Sequence, residues 1–412
     1  MQHEIATQKH EIKQVEQTTC CIVGGGPGGA MLALLLARKG VAVTLLEAHM
    51  DFEREFRGDS IHPSVLNILD ELGLVDRLLQ LQHTEVRKFR FQTVGGEMTL
   101  ANIDELKLKY PFIALLPQSK FLEFVTTEAK SYPGFHLVMG AQVDELIEEN
   151  GKVCGVRYRG ADGWYEVRAI LTVGADGRFS RLRRLAGFEP VASSVPMDVL
   201  WFRLPQHLSD GQESGGHIGN GHIAIMLNRF EYWQIGYVIP KGGYQEIRAA
   251  GLPALRQTIA ELLPLMADRV DYLQEWKQIS VLSVESNRLL QWYRPGLLLI
   301  GDAAHTMSPV AGVGINYAIQ DAVVAANILG DKLKHGSVQL KDLARVQRQR
   351  ELPTRIIQAF QSFLQNTILT NALSSDKPLT IPPLVRLMLS TPVIRTVPAR
   401  LMALGPWPAH VK

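Results

Sequence analysis

The sequence predicts a mixed α/β chain: a strand, helix and strand at the start, an antiparallel sheet in the middle and helices at the end. Three observations carry this. A glycine cluster separates a buried β-prone run from an Ala/Leu-rich helix near residue 24. From residue 198 to 285 the pattern changes to short strands with both polar and aromatic members. After residue 302 helical periodicity returns.

Residues 19–23 form the first strand, and it breaks at Gly24-Gly25-Gly26-Pro27-Gly28-Gly29, which satisfies G-x-G-x-x-G with Gly24, Gly26 and Gly29. The first glycine allows a tight turn, the second lets backbone approach a pyrophosphate, and the third lets the next helix pack closely on the strand. The helix, residues 30–39, ends in Arg38-Lys39 against the negative helix end and stops at Gly40. A second strand, residues 41–46, leads to Glu47, about 20 residues past the glycines and placed to accept hydrogen bonds from an adenosine ribose. A bound dinucleotide accounts for all of these residues, and this stretch alone fits either FAD or NAD.

A chain of 412 residues exceeds what one core serves, so two packed domains and a helical tail are expected. Residues 1–17 read as a frayed N-terminus, 18–190 with 286–330 as the dinucleotide-binding domain, 191–285 as a sheet-rich substrate domain and 331–412 as a helical region. The net charge of +2 excludes the basic excess of a nucleic-acid binder. Three cysteines, Cys20, Cys21 and Cys154, make no disulfide framework, and a reducing cytoplasm fits them. No secretory leader, bilayer-spanning run or metal-ligand spacing is legible.

Further along, residues 63–72 have helical spacing, and residues 88–100 form a hairpin around Gly95-Gly96, inserted into the first domain. A helix follows to residue 130. Residues 143–170 read as a three-stranded meander leading to a separate buried strand, 171–174. The second domain's strands are 198–203, 222–227, 233–239 and 279–284, with a helix over 252–263. Of Trp201, Tyr232, Trp233 and Tyr237, one or two are expected in a pocket and the rest in sheet packing. Residues 296–300 return as a strand, and a long helix is expected over 302–329. In the tail, residues 384–404 are apolar and interrupted by prolines. Packing over the substrate domain and a peripheral membrane contact are the two placements this allows.

Two further motifs complete the pattern. One is Gly174-Ala175-Asp176-Gly177-Arg178, followed by Arg181, Arg183 and Arg184. The other is Gly301-Asp302-Ala303-Ala304-His305, followed by Ser308-Pro309-Val310-Ala311-Gly312-Val313-Gly314-Ile315-Asn316. Two glycine loops that open helices suit one extended ligand with charge toward both ends.

With these three motifs in this order, the chain resembles the class A FAD-dependent monooxygenases, the p-hydroxybenzoate hydroxylase-like flavoproteins, over about residues 18–330. The resemblance implies an FAD-binding Rossmann-like domain of the GR2 type with an inserted antiparallel-sheet substrate domain. It implies that Gly24, Gly26, Gly29 and Glu47 hold the ADP part of FAD, that Arg57 and Gln118 meet the pyrophosphate and ribityl region, and that Val143 lies by the adenine. Asp302 would bind the ribityl chain; Gly312, Gly314 and Asn316, with Pro309 in the same loop, would line the isoalloxazine. Asp176 belongs to the motif this family associates with FAD and NAD(P)H, and the run 176–184 is the expected lining of a groove for NAD(P)H as transient co-substrate. His305 is expected to orient the turn rather than react. The implied activity is insertion of one atom of O2 into an aromatic or polyunsaturated lipophilic small molecule. A reductase or dehydrogenase of the same fold and a non-catalytic flavin module are the alternatives. The run Ile235-Gly236-Tyr237-Val238-Ile239-Pro240 lacks the tryptophans of the halogenase signature. No substrate-activating base is identified.

Overall fold

The computed structural model describes residues 10–53, 58–211, 213–369 and 396–412. Its frame is an eight-stranded sheet in which Leu297–Leu299, Trp164–Gly174, Ile12–Val23, Val43–Glu47 and Phe135–Met139 run side by side in parallel. Helix Pro27–Arg38 crosses between the first two strands in sequence and is buried along nearly its whole length, because helices Gln118–Lys130 and Gly314–Lys334 pack against it. All-round burial explains its Ala/Leu composition without a polar stripe.

The first strand is longer than the sequence suggested. It starts at Ile12, inside the segment expected to fray, because the equally long strand Trp164–Gly174 offers a partner from Ile12↔Trp164 to Val23↔Gly174. Trp164–Gly174 is likewise one strand, where a meander strand and a separate buried strand were expected. The edge strand Phe135–Met139 has no clear period and was not expected.

The second sheet has seven strands: Ser280–Leu282, Met197–Pro205, Tyr232–Pro240, His222–Asn228, Gly215–Gly219, Lys88–Thr93 and Gly96–Asn102, in that spatial order. The last two correct the domain boundary. The hairpin expected inside the first domain joins this second sheet, with Arg90 opposite Gly215 in parallel register. Phe91, Phe89, Met98 and Leu100 carry an apolar face that packs in a cluster with Val199, Ile218 and Val238. Gly215–Gly219 escaped the sequence because glycine is depleted in strands; a Cβ at Gly215 would lie 2.6 Å from the Arg90 carbonyl oxygen, so the close approach needs a glycine.

Both faces of this sheet are apolar. Leu200, Phe202, Ile235 and Tyr237 point to one side, where helix Leu252–Leu262 covers them. Val199, Trp201, Ile225 and Val238 point to the other, where they line a cavity against the first sheet.

The expected helix over 302–329 is broken. A short turn, Gly301–Ala303, is followed by irregular backbone, and the helix begins at Gly314 because Ala311 and Gly312 are both left-handed, with φ of 68° and 61°. Helix Leu340–Leu364 packs on it. In the tail, helix Thr396–Ala403 buries Ala399, Met402 and Ala403 and packs against strand Gly96–Asn102 of the second sheet. The rest of the apolar segment expected to cover that sheet or meet a membrane, residues 384–395, lies outside the described residues. Among the described residues no helix is long and apolar enough to cross a membrane, and no His/Cys/Asp/Glu group has metal-binding geometry.

Candidate active site

A single cavity of about 820 Å³ runs from the glycine turn after the first strand to the open face of the second sheet. Its first wall is backbone. Gly24 has φ +104°, its N–H donates to the Leu46 carbonyl at 2.8 Å, and a Cβ would meet the Ala175 carbonyl oxygen at 2.4 Å. Gly29 does not line the cavity; it sits against the Gly24 carbonyl, 2.0 Å from where its Cβ would be, so it sets the helix-to-strand distance. Gly26 does face the cavity, and nothing lies within 4 Å of where a Cβ would stand. Helix Pro27–Arg38 starts there with no side-chain cap, which leaves its first N–H groups directed at the cavity.

Glu47 is buried at the end of its strand. One carboxylate oxygen accepts from Gly25 N–H at 2.9 Å and the other from His49 N–H at 3.0 Å, so the acid is held in place beside the glycine turn. Val143 lines the cavity from strand Gln142–Glu149. Gln118 lines it too, its side chain donating to the Gly58 carbonyl at 3.0 Å. Arg57 lies outside the described residues.

Asp176 reaches the cavity, but its carboxylate is occupied. It accepts from Ser180 Oγ at 2.6 Å, Arg181 N–H at 2.7 Å and Leu182 N–H at 3.0 Å, which tethers the start of helix Arg181–Leu185. Burial raises its carboxyl pKa, against those hydrogen bonds. Arg183 departs from the expected surface groove. It is buried, and its guanidinium donates to the carbonyls of Arg178 at 2.6 Å and Ala303 at 3.3 Å, bracing the second motif against the third. Arg178 and Arg181 are the arginines of that run that line the cavity.

The third motif forms the floor. Asp302, Pro309, Gly312 and Gly314 line the cavity, and helix Gly314–Lys334 opens on it without a capping side chain. Asn316 is turned inward. Its Oδ1 accepts from His62 N–H at 2.9 Å and its Nδ2 donates to the Ser60 and Gly312 carbonyls, fastening the Ser60–Ile61 strand to the loop. His305 is also structural. Its Nε2 meets Asp321 Oδ2 at 2.6 Å, Arg350 Nε meets Asp321 Oδ1 at 2.7 Å, and Gly301 N–H donates to the same carboxylate at 3.0 Å. Burial alone would raise the Asp321 carboxyl, yet the charges of His305 and Arg350 hold it below the usual carboxylate range.

Three side chains were not identified from sequence. His62, 0% exposed, donates from Nδ1 to the Met402 carbonyl at 2.7 Å, while its Nε2 has no hydrogen-bond partner; burial pushes its pKa down to about 4, so it is neutral at pH 7. Arg229 and Asp59 form a buried ion pair at 2.7 Å where the two sheets meet. Burial raises the Asp59 carboxyl, opposed by Arg229, and lowers the Arg229 guanidinium. Their partners come from distant stretches of sequence, so no local motif announces them. Of the four aromatics, Trp201 lines the cavity, while Trp233 and Tyr237 are buried on the other face; strand parity would have separated them once the pocket face was known.

The site fits an extended dinucleotide on one observation: two uncapped helix N-termini, at Gly26 and Gly314, open on the same cavity through positions where a side chain would otherwise project. The comparisons agree. Residues 17–358 match the model of a family described as FAD binding domain. The chain belongs to that family.

Among its relatives, the 6-methylpretetramide 4-monooxygenase of Streptomyces rimosus is 35% identical over 339 residues, spanning 80% of each chain. The 3-demethoxyubiquinol 3-hydroxylase of Escherichia coli K12 is 25% identical over 315 residues, 74% of this chain and 78% of the relative. In fold, the flavoprotein is similar to p-nitrophenol 4-monooxygenase from Pseudomonas putida DLL-E4, with a TM-score of 0.76, 19% identity, and coverage of 96% of this chain and 100% of that one. It is a class A FAD-dependent monooxygenase, with NAD(P)H as the transient reductant and O2 and a small molecule as substrates. The reductase and non-catalytic alternatives are not favoured by this kinship.

Proposed function

We propose that this flavoprotein hydroxylates a flat, polycyclic phenol or enol of the aromatic-polyketide type. The observation that carries the reading is the division of the cavity: one wall is backbone donors and fixed acids, the other an apolar sheet face. A relative named for a pretetramide substrate supports the chemical class. A volume of about 820 Å³ is enough for a cofactor end and a multi-ring substrate together.

In this reading, Gly24 and Gly26 bring backbone against the pyrophosphate, Gly29 holds the helix close, and Glu47 accepts from the adenosine ribose. Val143 lies beside the adenine, Gln118 stands by the middle of the cofactor, and Asp302 accepts from the polyol chain. Pro309, Gly312 and Gly314 border the ring system, with Asn316 and Asp176 acting through the backbone they tether. The chemistry that FAD supplies when bound is acceptance of hydride from NAD(P)H and activation of O2 for transfer of one oxygen atom. The helix N-terminus at Gly314 favours negative charge beside it. Val199, Ile225 and Val238 exclude water from the substrate side, which limits loss of activated oxygen as peroxide. Residues 58–86, 112–190 and 286–334 frame the cofactor, and residues 88–102 and 191–285 frame the substrate.

The test is turnover of a panel of polyphenolic three- and four-ring compounds by the FAD-loaded enzyme, reading NAD(P)H oxidation and product mass together. A gain of one oxygen atom in product is expected. NAD(P)H consumption that yields only peroxide across the panel would contradict the substrate class.

A further inference from the structure

The sheet wall of the cavity is mostly hydrocarbon, with Gln234 and Ser280 as polar lining residues beside two unmet donors. Trp201 stands opposite Gly236 in the register of strands Met197–Pro205 and Tyr232–Pro240. Because residue 236 lacks a side chain, the indole lies over it: a Cβ there would be 2.8 Å from the ring. The indole Nε1–H is buried and has no acceptor. A buried indole N–H ordinarily finds a partner; Val199, Ile225 and Val238 beside it are hydrocarbon, and Ser280, opposite it on the other neighbouring strand, lines the cavity with its hydroxyl without bonding the indole.

Arg229 stands just beyond strand His222–Asn228 and is 9% exposed. Its Nε donates to Gln234 Oε1 at 3.0 Å and its Nη2 pairs with Asp59 at 2.7 Å, which fixes the guanidinium. Its Nη1 is buried without a partner. Both side chains line the cavity. Gly236, opposite Trp201, and Tyr232, whose carbonyl accepts from Arg229 N–H, are four residues apart on one strand, roughly 13 Å along it. Asp59 already balances the Arg229 charge, so the free Nη1 calls for an acceptor oxygen whether or not that oxygen is ionised.

We propose that Trp201 Nε1 and Arg229 Nη1 are the two donors that recognise the substrate, each receiving a carbonyl, enolate or phenolate oxygen at separate positions of a flat aromatic skeleton. This rests on the hydroxylase reading above and adds its specificity. The wall selects molecules rich in acceptor oxygens and rejects hydrocarbons of the same shape, because a hydrocarbon leaves both buried donors unpaired.

The experiment uses the FAD-loaded full chain with 1,8-dihydroxyanthraquinone and anthracene as probes, read by perturbation of the flavin absorbance and by probe fluorescence. The proposal expects the oxygenated probe to bind more tightly. Trp201→Phe, which keeps the ring and removes the donor, weakens that complex about fivefold, and the paired change Asp59→Asn with Arg229→Gln, which removes the ion pair without leaving one charge buried, weakens it about tenfold. Both variants keep anthracene binding within about twofold of wild type. Equal binding of the two probes, no binding of the oxygenated probe, or equal losses for both probes in the variants would overturn the assignment. Oxygen insertion reports on the underlying reading separately. Hydroxylated product with binding indifferent to both substitutions sinks the donors and keeps the hydroxylase. The expected binding losses, with no polyphenol hydroxylated, keep the donors and sink the substrate class.

Discussion

The two walls of the cavity recognise in different currencies. In the reading proposed above, the cofactor wall uses main-chain N–H groups exposed by glycines, with Glu47 held beside them by two backbone hydrogen bonds. The substrate wall uses side chains alone, an apolar face with sparse polar points drawn from strands far apart in sequence. A backbone site needs particular residues at particular spacings, because a turn and a helix start must be adjacent. A side-chain site needs only that the register bring the right residues to one face. The first is therefore rigid toward substitution, and the second is open to change of specificity.

Breaking the backbone wall has the largest expected effect. Gly24→Val places a β-branched side chain at φ +104°, with its Cβ 2.4 Å from a carbonyl oxygen; a loss of more than about 3 kcal/mol is expected. The purified variant should lack the flavin absorbance, and calorimetry should show a lower Tm. A yellow variant of unchanged Tm would mean that the turn is not under this constraint.

The next comparison separates holding the cofactor from holding the loop. His305→Ala removes one partner of a carboxylate that is 0% exposed, so a destabilisation of about 3 kcal/mol is expected in urea unfolding. Asp302→Ala should leave unfolding nearly unchanged and weaken FAD about tenfold, the size of a lost charge-assisted hydrogen bond. The reverse pattern would exchange the two roles.

Much of the wall assigned above to the cofactor was legible as neighbouring residues for the reason just given. Gly24, Gly26, Glu47, Asp302 and Gly314 could be placed from spacing and motif, and the cavity brings them together. Less was legible where tertiary pairing overrides local pattern. The strand from Ile12 looked polar and frayed because its outer half is exposed, and only a partner of equal length makes it a strand. The hairpin at residues 88–102 carried no sign of which sheet it joins, since that depends on a glycine strand at 215–219 with almost no side chains to read. Arg183 looked like part of a basic surface and is a buried brace, a difference that a one-dimensional count of arginines does not contain.

A smaller effect depends on pH. His62 has a pKa of about 4 in the folded chain against 6.5 in the unfolded one, with burial the largest cause. Between those values the unfolded chain binds the extra proton. The stability that follows from keeping this imidazole neutral is complete above pH 6.5 and declines as pH falls toward 4. Urea midpoints at pH 7 and pH 5 should show about 2 kcal/mol more loss in wild type than in His62→Gln. An identical pH dependence in the two proteins would place the low pKa elsewhere.

The smallest change falls on the substrate wall. Gly236→Ala brings a methyl group to 2.8 Å from the Trp201 ring, so the indole must tilt. KM for a polyphenol should rise a few-fold, with kcat and FAD content little altered. Loss of FAD in this variant would show that the two walls are not separable.

That separability is the centre of the account, and FAD titration of the apoprotein tests it most directly. Glu47→Ala and Trp201→Phe each alter one cavity-lining residue, one on each wall. The expected result is an FAD dissociation constant raised about tenfold by Glu47→Ala and unchanged by Trp201→Phe. Equal changes in the two variants, or a larger one for Trp201→Phe, would contradict it.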